Sequence, residues 1–250
     1  MADGRSSFFV APIFTHRRVR LVNAENKLIA MLPRTDRISL LAVCETYELK
    51  LSVILCEPHT ATRYVYFPMS GFISLVTLID GHAGVEVGMV GSEGMVGAEL
   101  ALGVLASPTR ALVQGGGLAH RIPANAFKRE LADSAALRKL LGRYLYVRMS
   151  QLAASAACLR FHLIRPRLAR WLLMSQDRAH SNHFHITQEF LAYMLGVRRV
   201  GITSAASSLQ RSGLIEYHRG EIAVTDRGGL ELASCDCYAA ERRAYAQLLG

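Results

Sequence analysis

The chain has 250 residues, 51% of them apolar, and no stretch approaches the ~18–20 consecutive apolar residues that a membrane-spanning helix needs. Its length allows a buried core divided over two domains and excludes a disulfide-stapled miniature fold. Twenty-nine lysines and arginines against 20 acids give a net charge of +9, which favours an anionic partner. The excess is local: residues 160–219 hold nine arginines against three acids, Asp177, Glu189 and Glu216, and so carry +6 of the total.

In chain order, Met1-Ala2-Asp3-Gly4-Arg5-Ser6-Ser7 lacks the charged stretch and long apolar run of an export signal, so the expected location is the cytoplasm. Residues 1–24, with Arg17, Arg18 and Arg20, read as a basic arm. Residues 25–50 read as helical, with a break at Pro33. From 49 to 127 the pattern changes to short runs rich in β-branched residues, such as Tyr64-Val65-Tyr66-Phe67, Phe72 to Leu78 and Val85 to Val90. Turn signals separate them at Glu57-Pro58, Pro68 to Gly71, Asp80-Gly81, Gly91-Ser92, Ser107-Pro108 and Gly115 to Gly117. Many short strands at this spacing predict an antiparallel jelly roll or barrel.

Helix resumes near Pro123 to Phe127. From about Ser134 to Cys158, Leu137, Leu140/Leu141, Tyr144, Val147/Arg148, Gln151, Ala154/Ser155 and Cys158 recur at three- and four-residue steps. That pattern fits the seam of a parallel two-stranded coiled coil between protomers, and equally a helix packed on its own barrel. Pro166 to about Arg178 reads as a further helix.

The most informative stretch follows. Thr187 is a candidate N-cap for a helix with Phe190, Leu191, Met194 and Leu195 on one face. Gly196 can turn the chain, and a second helix from Val197 or Arg198 buries Ile202, Ala205, Ala206 and Leu209. Two short helices around a glycine, the second opening with arginines, describe a helix-turn-helix. Gly213 to Val224, with a turn near Arg219-Gly220, reads as a β-hairpin, the wing of a winged helix. Basic charge gathered around this motif suits a phosphate backbone.

Five cysteines, Cys44, Cys56, Cys158, Cys235 and Cys237, form an odd set with no export signal, which argues against disulfides. Cys235-Asp236-Cys237 is too short to make a zinc site alone, and no second Cys/His pair is read at ligand spacing nearby, so packing is the expectation and no metal ligand is assigned. There is no phosphate loop, no G-x-S-x-G elbow and no metal-spaced His/Glu set, so no catalytic residue is assigned either. Glu86, Glu93 and Glu99, with Arg110 and His120, read as barrel loops rather than a reactive pocket.

Barrel, long helix and winged helix-turn-helix in this order resemble the Crp/Fnr superfamily of bacterial transcription regulators, from about residue 25 to 240. The most specific parts are Phe67 to Val76, and Ile186 to Ile215 followed by Asp226-Arg227-Gly228-Gly229-Leu230-Glu231. Val90 to Gly97 is similar to branches that lack the full nucleotide signature. The resemblance implies an α+β chain: a cyclic-nucleotide-binding-like sensory domain over 25–130, a dimerisation helix over 131–160, a winged domain over 161–240 and a tail over 241–250. It also implies a homodimer on pseudo-palindromic double-stranded DNA, with RNA polymerase as a further partner of an activator.

Residue by residue, Arg199 matches the family arginine that reads a guanine, a bidentate contact to O6 and N7. The usual glutamate beside it is Val200, suited to a thymine methyl, and the later arginine is Ser204. Arg198 is assigned to phosphate, Thr203 and Ser204 to bases or phosphates, and His218 and Arg219 on the wing to backbone. No cofactor is required. A cyclic nucleotide held by Gly97, Glu99 and Arg110 is one candidate effector, and a different effector or none is the favoured alternative. The glutamate, however, stands one residue further from the glycine than in nucleotide-binding members. Either the turn absorbs that residue, or Ala98 takes the carboxylate's place. An iron–sulfur sensor would need cysteines before Cys44, and nothing ties His59, His82, His120 or Met69 to haem. The competing reading is a small-molecule receptor whose C-terminal domain binds protein.

Overall fold

The computed structural model describes residues 25–79 and 82–249, so the basic arm and the Asp80-Gly81 turn lie outside the described residues. After α1 (Lys27–Ala30) and α2 (Arg34–Ala42) the chain enters β1 (Glu45–Leu49), where the sequence pattern predicts continued helix. The reason is cross-strand chemistry. β1 pairs antiparallel with β7 (Gly117–Pro123), which places Glu45 opposite Arg121. Arg121 bonds Glu45 at 2.7 Å and lies over the Tyr47 and Tyr64 rings at 4.2 and 4.4 Å. These partners are distant in sequence, so helical periodicity around 38–43 carries no trace of them.

β2 (Ile54–Cys56), β3 (Tyr64–Pro68), β4 (Phe72–Ile79), β5 (His82–Val90) and β6 (Arg110–Gly115) complete two antiparallel sheets, ordered β1-β7-β3 and β2-β6-β4-β5. Leu49, Tyr66, Ile73, Val90, Val96, Ala111, Val113 and Ala119 fill the space between them, as the alternation in a jelly roll requires. Gly71, at φ +72°, lets the β3–β4 turn pass so close that a Cβ there would collide with the Gly115 carbonyl.

Two further helices follow, α3 (Ala124–Asp133) and the long α4 (Ala135–Phe161). Ser134 caps α4, its hydroxyl accepting from the Leu137 N–H at 2.9 Å. Leu137, Leu140, Leu141, Tyr144, Val147, Gln151 and Cys158 are all buried in their own protomer. The first four share a core with Leu28, Phe67 and Phe127, and the Tyr144 hydroxyl donates to the Met95 carbonyl at 3.0 Å. The periodic face that fits an inter-protomer seam is therefore turned inward, its first half to the barrel and its later residues Gln151 and Cys158 to the C-terminal segment. A second stripe on α4 is exposed and also apolar: Tyr146 (61%), Met149 (68%), Leu152 (45%) and Leu159 (39%). Two apolar faces on one helix leave the period unable to say which packs where.

Residues 241–250 read as a tail, yet Cys237–Leu249 forms a helix, α9, against α4. Glu241 on α9 accepts from Gln151 at 3.1 Å and pairs with Arg178 at 3.3 Å and Arg170 at 3.4 Å. Among the described residues no helix is long and apolar enough to cross a membrane.

α5 (Ile164–Ala179) carries Pro166 in its first turn, where a missing N–H costs nothing. Its Leu168, Trp171 and Leu172 join one core with Phe72, Val76 and Met89 of the jelly roll and with the helices beyond, so the C-terminal domain is docked on the barrel. At that junction Glu86 on β5 accepts from Trp171 Nε1 at 3.1 Å and from the Ser74 hydroxyl. Burial pushes its carboxyl up to about 7, against the pull of those bonds and of Arg178 and Arg170. A group with a raised pKa holds its proton longer in the docked state. Its contribution is thus complete below about pH 4.5 and is lost as pH rises toward 7. Glu86→Gln removes the charge, keeps one oxygen to accept from Trp171 Nε1 and turns its amide nitrogen into a donor to the Ser74 hydroxyl, and is expected to stabilise the protein by about 1–3 kcal/mol at pH 8 and by little at pH 4.5. Thermal melts of both proteins across that range check it, and parallel curves would contradict the assignment.

Candidate nucleic-acid interface

The Thr187 hydroxyl accepts from the Phe190 N–H at 3.2 Å and starts α6 (Gln188–Leu195). Gly196 ends it in the left-handed region, φ +60°, and Arg198 precedes α7 (Arg199–Arg211), which starts one or two residues later than the sequence pattern suggests. Leu191, Met194 and Leu195 of α6 and Ile202, Ala205, Ala206 and Leu209 of α7 face the α5 core. A Cβ on Gly201 would meet the tip of the Ile164 side chain, so α7 passes close to the start of α5 there. With its inner face committed, α7 presents Arg198, Arg199, Val200, Thr203 and Ser204 outward, all exposed, Val200 to 71%. The helix N-terminus adds partial positive charge where the two arginines stand.

The wing is β9 (Ile215–His218) and β10 (Glu221–Val224), with Arg219 at φ +50° and Gly220 at φ +87° in the turn. β10 also pairs with β8 (His183–His185), a strand that three residues rich in histidine gave no sign of. His218 and Arg219 are exposed at the tip. Tyr217 ties the wing to the helices: its hydroxyl donates to the Ile186 carbonyl at 2.8 Å and its N–H to Gln210 Oε1 at 2.9 Å. Burial raises its phenol to about 12 although Arg199 lies close by.

Gln188, not singled out by the sequence, belongs to this face. Its amide oxygen accepts from the Thr203 hydroxyl at 2.6 Å, which leaves that hydroxyl less free to donate elsewhere. Ser207 and Arg211 extend the exposed side of α7 toward its C-terminus. Counting four residues on from Thr203, or three from Ser204, would have found Ser207.

Gly97, Glu99 and Arg110 belong to the barrel, and Arg110 also reaches the Tyr193 side chain on α6. Gly97, φ +94°, leads into a short 3-10 helix, Ala98–Leu102. Glu99 accepts from the Thr62 hydroxyl, while Arg110 is gripped by both oxygens of Glu57 at 2.9 and 3.1 Å. A cyclic phosphate needs an unpaired guanidinium fork, and here the fork already holds a carboxylate. These residues do not fit a cyclic nucleotide as they stand.

Residues 166–233 match the family model of the Crp-like helix-turn-helix domain. No curated protein matches by sequence. Among solved structures, the chain resembles a transcriptional regulator of the Crp/Fnr family from Eubacterium rectale, with 21% identity and TM-score 0.66 over 84% of this chain and 99% of that one. FixK2 from Bradyrhizobium japonicum is similar at 13% identity and TM-score 0.65, over 77% and 98% of the two chains. The c-di-GMP-responsive global regulator CLP from Xanthomonas campestris is similar at 16% identity and TM-score 0.64, over 78% and 100%.

Proposed function

We propose that this chain, a Crp-like helix-turn-helix domain carried on the fold of the Crp/Fnr regulators, controls transcription by binding pseudo-palindromic DNA as a homodimer. The observation that carries the proposal is the outward face of α7. Arg198 and Arg199 open the helix and Val200, Thr203 and Ser204 follow on the same side, with the wing tip as a second point of contact. Arg199 reads a guanine, Val200 packs on a thymine methyl, Ser204 donates to a base, and Arg198, His218 and Arg219 hold phosphates.

Dimerisation uses the exposed α4 stripe of Tyr146, Met149, Leu152 and Leu159 rather than the buried residues the periodicity first suggests. Two-fold symmetry then places the two α7 helices one turn of DNA apart, ~34 Å. A small effector in the barrel is a feature of this reading. The Arg110–Glu57 pair directs it away from cyclic nucleotides. If the protein activates, RNA polymerase is its further partner. No catalysis is part of the proposal.

Arg199→Ala is expected to cost about 1–3 kcal/mol of specific affinity, concentrated at one base pair of each half-site. Binding titrations against single-base variants of the site check it. A loss spread evenly over all sequences would make Arg199 a phosphate contact. The same titrations at rising salt separate a DNA-binding protein from a receptor that binds protein, since only the former shows a steep slope.

A further inference from the structure

Cys158 and His162 sit one turn apart at the C-terminal end of α4, so their side chains share a face. The fold brings this pair to Cys235 and Cys237, at the start of α9. The sequence pattern finds no partner for Cys235-Asp236-Cys237 because 72 intervening residues separate His162 from Cys235. In space the four ligand atoms lie within 4.8 Å of one another. Cys158 Sγ is 3.6 Å from Cys235 Sγ, and Cys237 Sγ is 3.6 Å from His162 Nδ1.

These distances are those of one tetrahedral ion. Zinc–sulfur bonds of about 2.3 Å and a zinc–nitrogen bond of about 2.0–2.1 Å put two sulfurs about 3.8 Å apart and a sulfur and a nitrogen about 3.5 Å apart. An iron–sulfur cluster would distribute its ligands over different irons and hold them further apart than 4.8 Å allows. Cys158 and Cys235 are buried and Cys237 half-buried, which closes the coordination shell to water. Three thiolates and a neutral imidazole around a divalent ion leave a charge of −1, and the Arg170 guanidinium lies beside Cys158 to balance it.

We infer that Cys158, His162, Cys235 and Cys237 form a structural zinc site. Its place in the chain gives it a purpose. Only His162 and Leu163 separate α4 from α5, while α9 returns from the winged domain to pack on α4. The ion clasps the end of α4 to the segment between α8 (Arg227–Ala233) and α9, and so fixes the joint on which the winged domain is carried.

The full-length protein, purified under reducing conditions without chelator or a metal-loaded tag, is expected to contain about one zinc per chain by elemental analysis. Cobalt replacement should give the d–d bands of a tetrahedral ion with thiolate charge transfer. The double variant Cys235→Ser/Cys237→Ser should lose the metal. Because that variant could lose its fold as well, the unmodified protein is also titrated with a mercurial, and zinc should appear in step with the reacting thiols. Wild-type protein that takes up no zinc from excess, cobalt spectra without thiolate charge transfer, or a Cys158–Cys235 disulfide that persists through reducing purification would each overturn the assignment.

Discussion

Met149→Asp combined with Leu152→Asp is expected to yield a folded monomer that binds its DNA site about 10²–10⁴-fold more weakly. Both side chains are exposed in the protomer, 68% and 45%, so carboxylates there cost the isolated chain little. In a dimer built on the α4 stripe, the same carboxylates from two protomers would meet in a dehydrated seam. The loss in affinity follows because two linked half-site contacts become two independent ones. Light scattering and binding titrations read the two effects separately. A persistent dimer would remove α4 from the interface. Leu141→Asp makes the contrast: Leu141 is fully buried beside Tyr144 and Phe127, and its replacement should unfold the barrel rather than part the protomers.

Leu172→Ala should destabilise the protein by about 2–5 kcal/mol, the cost of a cavity in a core that cannot collapse around it. Leu172 is fully buried in α5, in the core where Phe72, Val76 and Met89 of the jelly roll meet Leu191, Ile202 and Leu209 of the helix-turn-helix. Because that core spans both domains, denaturation of the variant should shift the barrel and the winged domain together. A loss below about 1 kcal/mol, or a shift confined to the winged domain, would show that the shared core does not couple them.

The parts of the fold that were legible in the sequence are those set by neighbours in the chain. Thr187, Gly196 and the α7 pattern depend on contacts a few residues away, and the structure has Thr187 as N-cap and Gly196 at positive φ. The same holds for the Arg219-Gly220 turn and the Ser134 start of α4. Elements set by distant partners were hidden. β1 is a strand because of Arg121, α9 is a helix on α4 because Glu241 meets Arg170 and Arg178, and Cys235 finds Cys158 only through the fold. The barrel residues fall between these cases. Gly97, Glu99 and Arg110 are picked out by the family resemblance, but the Glu57 that occupies Arg110 stands 53 residues away. The dimer stripe was ambiguous for another reason, since α4 is apolar on two sides and only burial distinguishes them.

The most direct test of a dimeric, sequence-reading regulator is selection of the purified full-length protein against fragmented genomic DNA, with the bound fragments sequenced. The expected result is a two-fold motif with half-sites about one helical turn apart and a guanine in each that becomes indifferent in Arg199→Ala. No enriched motif, together with binding that ignores salt, would contradict DNA recognition by this chain.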